Sequence, residues 1–240
     1  MIKAVFFDMD GTILNTLSDL TNAINYAFEK TGHKASYSDR DTKIFFGSGI
    51  RVAIKRGLAS EQGKSKEELF LIGTDREKEV MDFDEKEIDR IQDIYMPYYS
   101  KNCNNLTGPY PGIKEMIEKL RKKGIKTAVV SNKPDIAVKK LSDEVFTGLF
   151  DVAIGEKPEI KRKPAPDMLR KAMELLEVEV NESLYIGDSE IDMLTAENVN
   201  MRSIICDWGF RDREFLSKKG ASLIVSTADS LYEEIIRSGF

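Results

Sequence analysis

The sequence contains only two cysteines and one histidine among its 240 residues. Cys103 and Cys206 are too few and too far apart for a disulfide framework or a zinc site, so we expect a reducing compartment. His33 lies in a polar stretch typical of a helix C-terminus and turn, and we expect an exposed loop residue. Hydrolysis that depends on histidine is therefore excluded, and any chemistry must use carboxylates, hydroxyls and lysines.

A basic excess and a long apolar run are also lacking. The formal net charge is -5, so we expect no general nucleic-acid-binding face. No apolar segment approaches the length that spans a bilayer, and a strand begins soon after Lys3, so we expect neither a membrane partner nor a secretory signal. These features predict a cytoplasmic globular protein, either a monomer or a homodimer.

What the sequence does contain is a regular alternation of strand and helix patterns. The segment 4–7 is apolar without alternation, which is typical of a parallel strand covered on both faces. From about Pro109 onward the alternation predicts an α/β fold, a Rossmann-like parallel sheet with helices on both faces. Further strands are predicted at 125–130, 152–155, 184–187, 201–206 and 222–225. Helices are predicted near 113–120 and at 134–141, 166–176, 191–197 and 230–237.

Between residues 16 and 105 the pattern is helical, with no convincing strand. Helical faces are predicted at 17–28, at 50–56 with an end at Gly57, at 66–72 and at 88–98. So long a helical interruption after the first strand is better explained by an inserted domain than by a loop. We therefore assign residues 1–15 and 106–240 to the core and residues 16–105 to an all-helical insert.

Polar side chains gather where the predicted strands of the core end. They are Asp8 and Asp10 after the first strand, Ser131 and Asn132 after the second, Lys163 before a helix, and Asp188 and Asp192 after the strand at 184–187. In a parallel sheet these ends lie at one edge, which is where ligands bind. Close carboxylates repel one another unless a cation neutralises them, which implies a metal.

The kinds of side chain at this edge indicate the metal and the reaction. Oxygen ligands without histidine or thiolate suit magnesium, which one or two carboxylates usually hold together with substrate phosphate. That composition predicts phosphoryl transfer. An aspartate can accept a phosphoryl group, and a second aspartate two positions on can transfer the proton.

Each of these groups also has a structural interpretation. Asp8 could open a calcium loop, but the sixth and twelfth positions of such a loop require Gly and Glu, and here they hold Ile13 and Asp19. Ser131 could be part of a turn or a helix cap. The pair at 188 and 192 could simply favour a helix N-terminus.

The lysine has local competitors as well. Lys157 and Lys161 lie close to Lys163 in the sequence, and Lys157 is also followed by proline. The three could form a solvated cluster. The Pro-x-Pro sequence after Lys163 favours that lysine.

Taken in order, these residues match four motifs of a known family. They are Asp-x-Asp-Gly-Thr at 8–12, Ser131 followed by Asn132 after a strand, Lys163 before Pro-x-Pro, and Gly-Asp-Ser-x-x-Asp at 187–192. The chain thus resembles the haloacid dehalogenase-like phosphohydrolases, and within them the phosphoglycolate phosphatase-like branch. Members of that branch carry a helical cap between the first strand and the rest of the core.

The resemblance implies a role for each core residue. Asp8 would be the nucleophile that forms an aspartyl-phosphate, and Asp10 the general acid and then the base. Ser131 and Asn132 would bind the substrate's phosphoryl group, and Lys163 would offset its charge. Magnesium would be held by Asp8, the backbone carbonyl of Asp10, and Asp188. Asp192 would be either a further ligand or a support for the others.

The resemblance also implies that the insert selects the substrate by closing over the core. The turn formed by Gly47, Ser48 and Gly49 precedes a helix whose free N–H groups could bind an anionic substrate group, with Arg51 nearby. A plain turn with a solvated Arg51 is an equal alternative, and Lys43 could contribute. We expect a small phosphorylated metabolite, with 2-phosphoglycolate as the favoured candidate.

Other activities share these motifs. A phosphomutase of the β-phosphoglucomutase type, a pyrophosphatase and a nucleotidase all remain open. An alternative of a different class is a signalling module that accepts phosphate on an aspartate, as receiver domains do on a similar sheet. Those modules lack a large helical insert after the first strand.

Overall fold

A computed structural model of the protein describes residues 1–238. The strands in that range are β1 (Ala4–Phe7), β2 (Leu14–Asn15), β3 (Gly108–Pro109), β4 (Lys126–Pro134), β5 (Val152–Glu156), β6 (Ser183–Gly187), β7 (Arg202–Cys206) and β8 (Ile224–Val225). The α-helices are α1 (Leu17–Thr31), α2 (Asp39–Phe45), α3 (Ile50–Glu61), α4 (Lys66–Leu69), α5 (Glu85–Asn102), α6 (Ile113–Lys122), α7 (Asp135–Val145), α8 (Asp167–Leu176), α9 (Glu190–Glu197), α10 (Arg213–Lys218) and α11 (Ala228–Arg237). The chain divides into two compact units: Met1–Asn15 with the chain from Gly108 onward, and Thr16–Thr107.

The first unit contains a six-stranded sheet in the order β5-β4-β1-β6-β7-β8. Every pair of neighbouring strands in it is parallel. The sequence prediction of a Rossmann-like parallel sheet is therefore confirmed. The first strand of the chain lies in the middle of this sheet, where Phe7 is opposite Val129 on one side and Ile186 on the other.

Apolar clusters cover both faces of this sheet. Val5 and Phe7 belong to one cluster, which includes residues of α6, α7 and α11. Ala4 and Phe6 belong to the other, which includes residues of α8 and α9. All four residues of β1 are fully buried, which explains why the strand is apolar without alternation.

The strand order places the crevice of the sheet beside β1. The chain continues from β1 to β4 on one side, whereas β6 adds to its other side. In open parallel sheets, ligands bind outside the carboxyl ends of the strands at such a reversal of order. The residues that follow Phe7, Val130 and Gly187 are therefore the ones to inspect for chemistry.

The second unit contains α1 to α5 and no strand within Thr16–Thr107. Its most buried large polar side chain is Arg56, which is 2% exposed. The guanidinium donates hydrogen bonds to the carbonyl oxygens of Ile44, Phe45, Leu69 and Ile72, at 2.9 to 3.2 Å. Three of these carbonyls lie in the last turns of α2 and α4, so one side chain satisfies the ends of two helices.

Two helices of this unit differ from the sequence prediction. The helix that begins at Ile50 does not end at Gly57 but continues to Glu61. A Cβ atom at Gly57 would lie 2.7 Å from Cζ of Phe28, so the glycine permits close packing of the Phe28 ring. Helix α2 was not predicted, although Ser38 and Asp41 form a capping box at its start.

His33 lies in the turn after α1, as predicted, but the expectation of an exposed side chain is wrong. Its side chain is 22% exposed, with Nδ1 2.9 Å from Oε2 of Glu61 and Nε2 2.8 Å from Oε1 of Glu87. The ring thus links the end of α3 to the start of α5. Polar residues around a histidine do not reveal partners that are distant in the sequence.

The chain enters and leaves the second unit at adjacent points. Before and after it, β2 pairs antiparallel with β3. Within it, the Asp19 carboxylate near the start of α1 accepts hydrogen bonds from the backbone N–H groups of Leu106 and Thr107 and from the Thr107 hydroxyl, at 2.8 to 3.1 Å. The assignment of a substrate-selecting cap with bounds at 16 and 105 stays a prediction.

The helices of the protein are short or carry charged residues. Among residues 1–238, no helix has both the length and the apolar character needed to cross a membrane. The longest is the 18-residue α5, which carries charged residues and a proline at position 97.

Candidate active site

Asp8 is the first residue after β1, and it is buried. Its backbone N–H donates to the carbonyl oxygen of Ile186 at 2.8 Å, and Nζ of Lys163 lies 2.7 Å from its Oδ1. The pKa of Asp8 is raised to about 6, mainly by burial; the Lys163 ammonium group opposes the rise, and the negative charges of Asp192 and Asp10 add to it. The result is a carboxylate fixed at the edge of the sheet with a buried ammonium against it.

Asp10 lies two positions further along and has a different cation. Nζ of Lys133 is 2.9 Å from Oδ1 of Asp10 and 3.2 Å from its Oδ2. The Lys133 side chain is 1% exposed, whereas that of Asp10 is 20% exposed. The two aspartates therefore project to separate lysines, and Asp10 keeps contact with solvent.

Lys163 connects Asp8 to the strand-end residues of β6. Its Nζ lies 2.7 Å from Oδ1 of Asp192 and 3.0 Å from the Tyr185 hydroxyl oxygen. Burial alone would lower the pKa of Lys163, but Asp192 and Asp8 raise it well above the ordinary value. This lysine is therefore a permanent buried cation.

The main chain of Lys163 is held by Asn132. The side-chain oxygen of Asn132 accepts a hydrogen bond from the Lys163 backbone N–H at 2.8 Å, and its amide nitrogen donates to the Lys163 carbonyl oxygen at 2.9 Å. Both ends of the amide are thus used to orient the lysine. The structure thus shows a contact that orients Lys163, and the predicted substrate contact of Asn132 stays a prediction.

The other two candidate lysines, Lys157 and Lys161, do not contact Asp8. Nζ of Lys157 lies 3.2 Å from Oδ2 of Asp135, and its side chain is 36% exposed. Lys161 is exposed. Of the three lysines, Lys163 is the one whose ammonium group contacts Asp8.

Asp188 follows β6 and is 1% exposed. Its Oδ1 accepts a hydrogen bond from the Thr12 hydroxyl at 3.0 Å, and its Oδ2 accepts one from the Phe210 backbone N–H at 2.6 Å. Burial raises the pKa of Asp188 well above the ordinary value, and the negative charges of Asp192 and Asp8 add to the rise. No lysine or arginine within residues 1–238 forms an ion pair with it.

Asp192 has two structural tasks. Its Oδ2 accepts hydrogen bonds from the backbone N–H groups of Asp188 and Ser189 and from the Ser189 hydroxyl, at 2.7 to 3.2 Å. This is a capping box at the start of α9. Its Oδ1 pairs with Lys163. Both oxygens are engaged, which favours the interpretation of Asp192 as a support.

Ser131 is 2% exposed near the carboxyl end of β4. Its Oγ accepts a hydrogen bond from the Lys133 backbone N–H at 3.3 Å. The segment 131–133 therefore contributes a hydroxyl, the amide that orients Lys163, and the lysine that pairs with Asp10. These three consecutive residues all contribute side chains to the same edge of the sheet.

The acidic groups form an arrangement that suits a divalent cation. One carboxylate oxygen from each of Asp8, Asp188 and Asp192 lies within 4.8 Å of the others, and all three residues are buried. Lys163 supplies one positive charge to this trio, which leaves two negative charges without compensation. Buried like charges of this kind are unfavourable unless a cation is bound. The oxygen-only donor set fits magnesium.

The anion contacts expected at residues 47–51 of the second unit stay a prediction. Gly47 and Gly49 have positive φ angles of 101° and 88°, and Gly49 precedes the first turn of α3 without a side-chain cap. Arg51 is paired with two carboxylates, and its side chain is 40% exposed. Its guanidinium lies 2.5 Å from Oε2 of Glu85 and 2.5 Å from Oδ1 of Asp89. Ser48 and Lys43 also have partners within the protein.

Three contributions to the site were missed from the sequence. Lys133 is adjacent to Asn132, so a signal existed in the run Ser-Asn-Lys after a strand. The Thr12 hydroxyl is part of the first motif, yet its contact with Asp188 follows only from the sheet order. Phe210 acts through its backbone N–H, which no side-chain pattern can reveal.

Comparison with known proteins gives a family match over most of the chain. The sequence profile of the family described as haloacid dehalogenase-like hydrolase matches residues 5–206. A phosphoglycolate phosphatase of Cereibacter sphaeroides is 33% identical over 211 residues, which cover 88% of this chain and 87% of that protein. A candidate pyrophosphatase of Caldanaerobacter subterraneus is 32% identical over 220 residues, which cover 91% and 87%.

A solved structure extends the likeness to the whole fold. The crystal structure of a candidate phosphoglycolate phosphatase from Lactobacillus delbrueckii superposes with a TM-score of 0.92 at 50% identity, covering 97% of this chain and 98% of that one. Together with the family match, this confirms the resemblance drawn from the four motifs. The chain belongs to the haloacid dehalogenase-like hydrolase family, in the branch that resembles phosphoglycolate phosphatases.

Proposed function

We propose that this protein is a magnesium-dependent phosphatase that hydrolyses a small phosphomonoester through an aspartyl-phosphate on Asp8. The observation that carries the proposal is the division of labour between two neighbouring carboxylates. Asp8 is buried against Lys163, whereas Asp10 is partly open to solvent and held by Lys133. The first environment suits a nucleophile, and the second suits a group that exchanges protons with a leaving group and with water.

In the first step, an oxygen of the Asp8 carboxylate attacks phosphorus while the bond to the leaving oxygen breaks. Oδ1 is bound to Lys163, which leaves Oδ2 to attack. The ammonium group of Lys163 offsets negative charge as the phosphoryl group approaches the carboxylate. Because Asn132 fixes the lysine main chain, this charge needs no reorganisation during the reaction.

Asp10 supplies the proton that the leaving oxygen requires. In the second step it accepts a proton from water, whose oxygen attacks the phosphorus of the aspartyl-phosphate and restores the Asp8 carboxylate. Lys133 keeps the Asp10 side chain in one position through both steps. Ser131, at the carboxyl end of β4, would donate its hydroxyl hydrogen to a phosphoryl oxygen.

The metal site is proposed to use Asp8, Asp188 and the backbone carbonyl of Asp10. Magnesium bound there would neutralise charge on the phosphoryl oxygens. Thr12 and Phe210 orient the Asp188 carboxylate, and Asp192 orients Lys163. We favour Asp192 as a support because its Oδ1 is already paired with the Lys163 ammonium group and its Oδ2 accepts three capping hydrogen bonds, whereas Asp188 pairs with no lysine or arginine among residues 1–238.

The substrate is proposed to be a small phosphorylated acid, with 2-phosphoglycolate first. Support comes from the relative of Cereibacter sphaeroides and from the solved structure at 50% identity, whose names both refer to phosphoglycolate phosphatase. Pyrophosphate is the second candidate, since a relative at 32% identity is named for that activity. The helical unit, Thr16–Thr107, is proposed to act as the cap that selects between them.

A cytoplasmic location is part of the same proposal. Cys103 and Cys206 are both free and buried, which suits a reducing compartment. The partner expected there is a small phosphorylated metabolite. The acidic composition does not favour a nucleic acid.

The chemistry is tested with p-nitrophenyl phosphate and magnesium. We expect turnover by the wild type that stops on addition of a chelator and returns with excess magnesium. Asp8→Asn should abolish turnover, and Asp229→Asn, which changes an exposed aspartate of α11, should leave it unchanged. Turnover by Asp8→Asn at the wild-type rate would refute the nucleophile, and undiminished turnover in chelator would refute the metal.

The substrate is tested by ranking kcat/KM over a panel. The panel contains 2-phosphoglycolate, pyrophosphate, a nucleoside monophosphate and β-glucose 1-phosphate. We expect 2-phosphoglycolate to rank first by at least about tenfold, which corresponds to about 1.4 kcal/mol of transition-state binding. A flat ranking contradicts the substrate proposal. Conversion of β-glucose 1-phosphate without phosphate release indicates a mutase instead.

A further inference from the structure

The loop after β7 is the part of the core that the four motifs do not include. Residues 207–212 lie between β7 and α10. The Phe210 backbone N–H donates to Oδ2 of Asp188 at 2.6 Å. The Trp208 side-chain N–H donates to the carbonyl oxygen of Thr12 at 3.0 Å, and the Thr12 hydroxyl in turn donates to Oδ1 of Asp188. The loop therefore acts on both oxygens of this carboxylate.

The main chain of this loop lies directly against Asp188. A Cβ atom added at Gly209 would clash with the Asp188 carboxylate and with the Gly11 carbonyl oxygen. Only glycine permits this approach. The carboxylate thus has no room to turn away from the neighbouring acidic groups that repel it.

One buried ion pair anchors the loop. Nε of Arg211 lies 2.9 Å from Oε2 of Glu190, and Nη2 lies 3.2 Å from Oε1 of the same residue. The Arg211 side chain is 1% exposed, and that of Glu190 is 19% exposed. A bidentate pair of this kind fixes direction as well as distance.

These contacts close a small ring around the proposed metal ligand. The chain runs from Asp188 to Glu190 in the first turn of α9, crosses by the ion pair to Arg211, returns one residue to Phe210, and closes by the hydrogen bond to Asp188. Each link is short; the hydrogen bond to Asp188 is buried, and the ion pair is partly buried. The position of the Asp188 carboxylate is therefore coupled to the ion pair.

We infer that Arg211 is a positioning residue for the magnesium site, because its pair with Glu190 fixes the loop that orients Asp188. The inference rests on the proposed function. Groups that orient a metal ligand without touching the metal typically contribute about 10- to 100-fold to metal affinity. Loss of the Arg211–Glu190 ion pair should therefore weaken magnesium binding to the substrate-free enzyme.

The test measures magnesium binding to the substrate-free enzyme by calorimetry. We expect Glu190→Gln and Arg211→Gln each to weaken binding by about tenfold or more, while KM at saturating magnesium stays within about twofold. Because both variants break the same link, the double variant should bind no more weakly than the weaker single variant. Arg202→Gln, at the exposed opposite end of β7, should bind as the wild type does.

Glu190→Gln is the deciding variant, since its partly exposed side chain allows the change without loss of the fold. Thermal unfolding in chelator checks that the folded state is retained. Magnesium binding by Glu190→Gln at wild-type affinity would overturn the inference, and so would an equal loss in Arg202→Gln. A wild type that binds no magnesium would instead overturn the metal proposal on which the inference rests.

Discussion

The ammonium group of Lys133 lies within 3.2 Å of both carboxylate oxygens of Asp10. Lys133 is buried, and its ammonium group faces the carboxylate that is proposed to transfer protons, so we attribute its position to the proposed function. It also lies one residue after Asn132, which orients the second lysine of the site. The segment 131–133 therefore arranges both cations.

Replacement of Lys133 should impair catalysis more than binding. In Lys133→Met, Asp10 loses the contact that holds its side chain, and we expect kcat to fall by about 10- to 100-fold with KM within about twofold. Steady-state kinetics on p-nitrophenyl phosphate measure both constants. Lys139→Met is the matched control, because Lys139 is 56% exposed and pairs with Asp135. A normal kcat in Lys133→Met contradicts the role.

Replacement of Lys163 should be more severe than that of its neighbour Lys157. Lys163→Met leaves Asp8 and Asp192 without their shared cation, and we expect a loss of about 10³-fold in kcat. Lys157→Met removes a partly exposed surface pair and should change kcat by less than about twofold. Equal effects of the two substitutions would restore the solvated-cluster interpretation.

Asn132→Ala separates a positioning role from a substrate contact. Loss of both hydrogen bonds to the Lys163 main chain should lower kcat by about tenfold and leave KM within about twofold. A direct substrate contact would instead raise KM. The control is Asn181→Ala, which changes an exposed asparagine at the amino end of β6. A rise in KM without a fall in kcat in Asn132→Ala would support the predicted substrate contact of Asn132.

Magnesium affinity should fall as pH falls. Burial raises the pKa of Asp8 to about 6, and a protonated carboxyl group does not bind the ion. The protonation of Asp8 alone should make magnesium affinity about tenfold weaker at pH 5 than at pH 7.5. Because the pKa of Asp188 is also raised, magnesium affinity should continue to increase at higher pH. Calorimetry at several pH values measures this, and a flat profile contradicts it.

The stability of the metal-free enzyme should change with pH in the opposite direction. A carboxyl group whose pKa is raised on folding stabilises the folded state fully below its unfolded pKa of 3.8, and this contribution is lost as pH rises through about 6. At neutral pH in chelator, Asp8→Asn should therefore unfold a few degrees above the wild type. A lower melting temperature for the variant would contradict the burial penalty.

Arg56 should stabilise the helical unit through its shape and not only its charge. Arg56→Lys keeps one cation but cannot donate to four carbonyl oxygens at once, so we expect a loss of about 2 to 4 kcal/mol in the free energy of unfolding. Urea denaturation measures the loss, and hydrogen exchange at residues 44–45 and 69–72 locates it. Arg76→Lys, in a pair that is 58% exposed, should change little.

The sequence predicted the core better than the helical unit. Strands buried on both faces are apolar runs, and the aspartates directly after them stand out, so Asp8 and Asp188 could be found without coordinates. Lys163 could be found from the Pro-x-Pro sequence that follows it. The residues that act through contacts across the sheet could not. Arg211 becomes relevant only once the sheet order places its loop beside Asp188. Lys133 follows Ser131 and Asn132 in the sequence, but only the structure shows its contact with Asp10.

Errors in the helical unit have a common physical reason. Gly57 was interpreted as the end of a helix, but its small size is what the Phe28 ring requires. Arg51 was interpreted by its charge near a helix N-terminus, but Glu85 and Asp89 on α5 bind it. In both cases a tertiary neighbour, far away in the sequence, decides what the residue does.

The adjacent entry and exit of the helical unit have a consequence for how such an enzyme can change. Leu14 lies opposite Pro109, and Asp19 binds the backbone at Thr107, so the core strands are already joined where the insertion begins and ends. A different insert with adjacent ends could replace residues 16–107 without a change in the register of the core sheet. The helical unit that is proposed to select the substrate is thus an exchangeable module, and the core that is proposed to carry the chemistry stays unchanged.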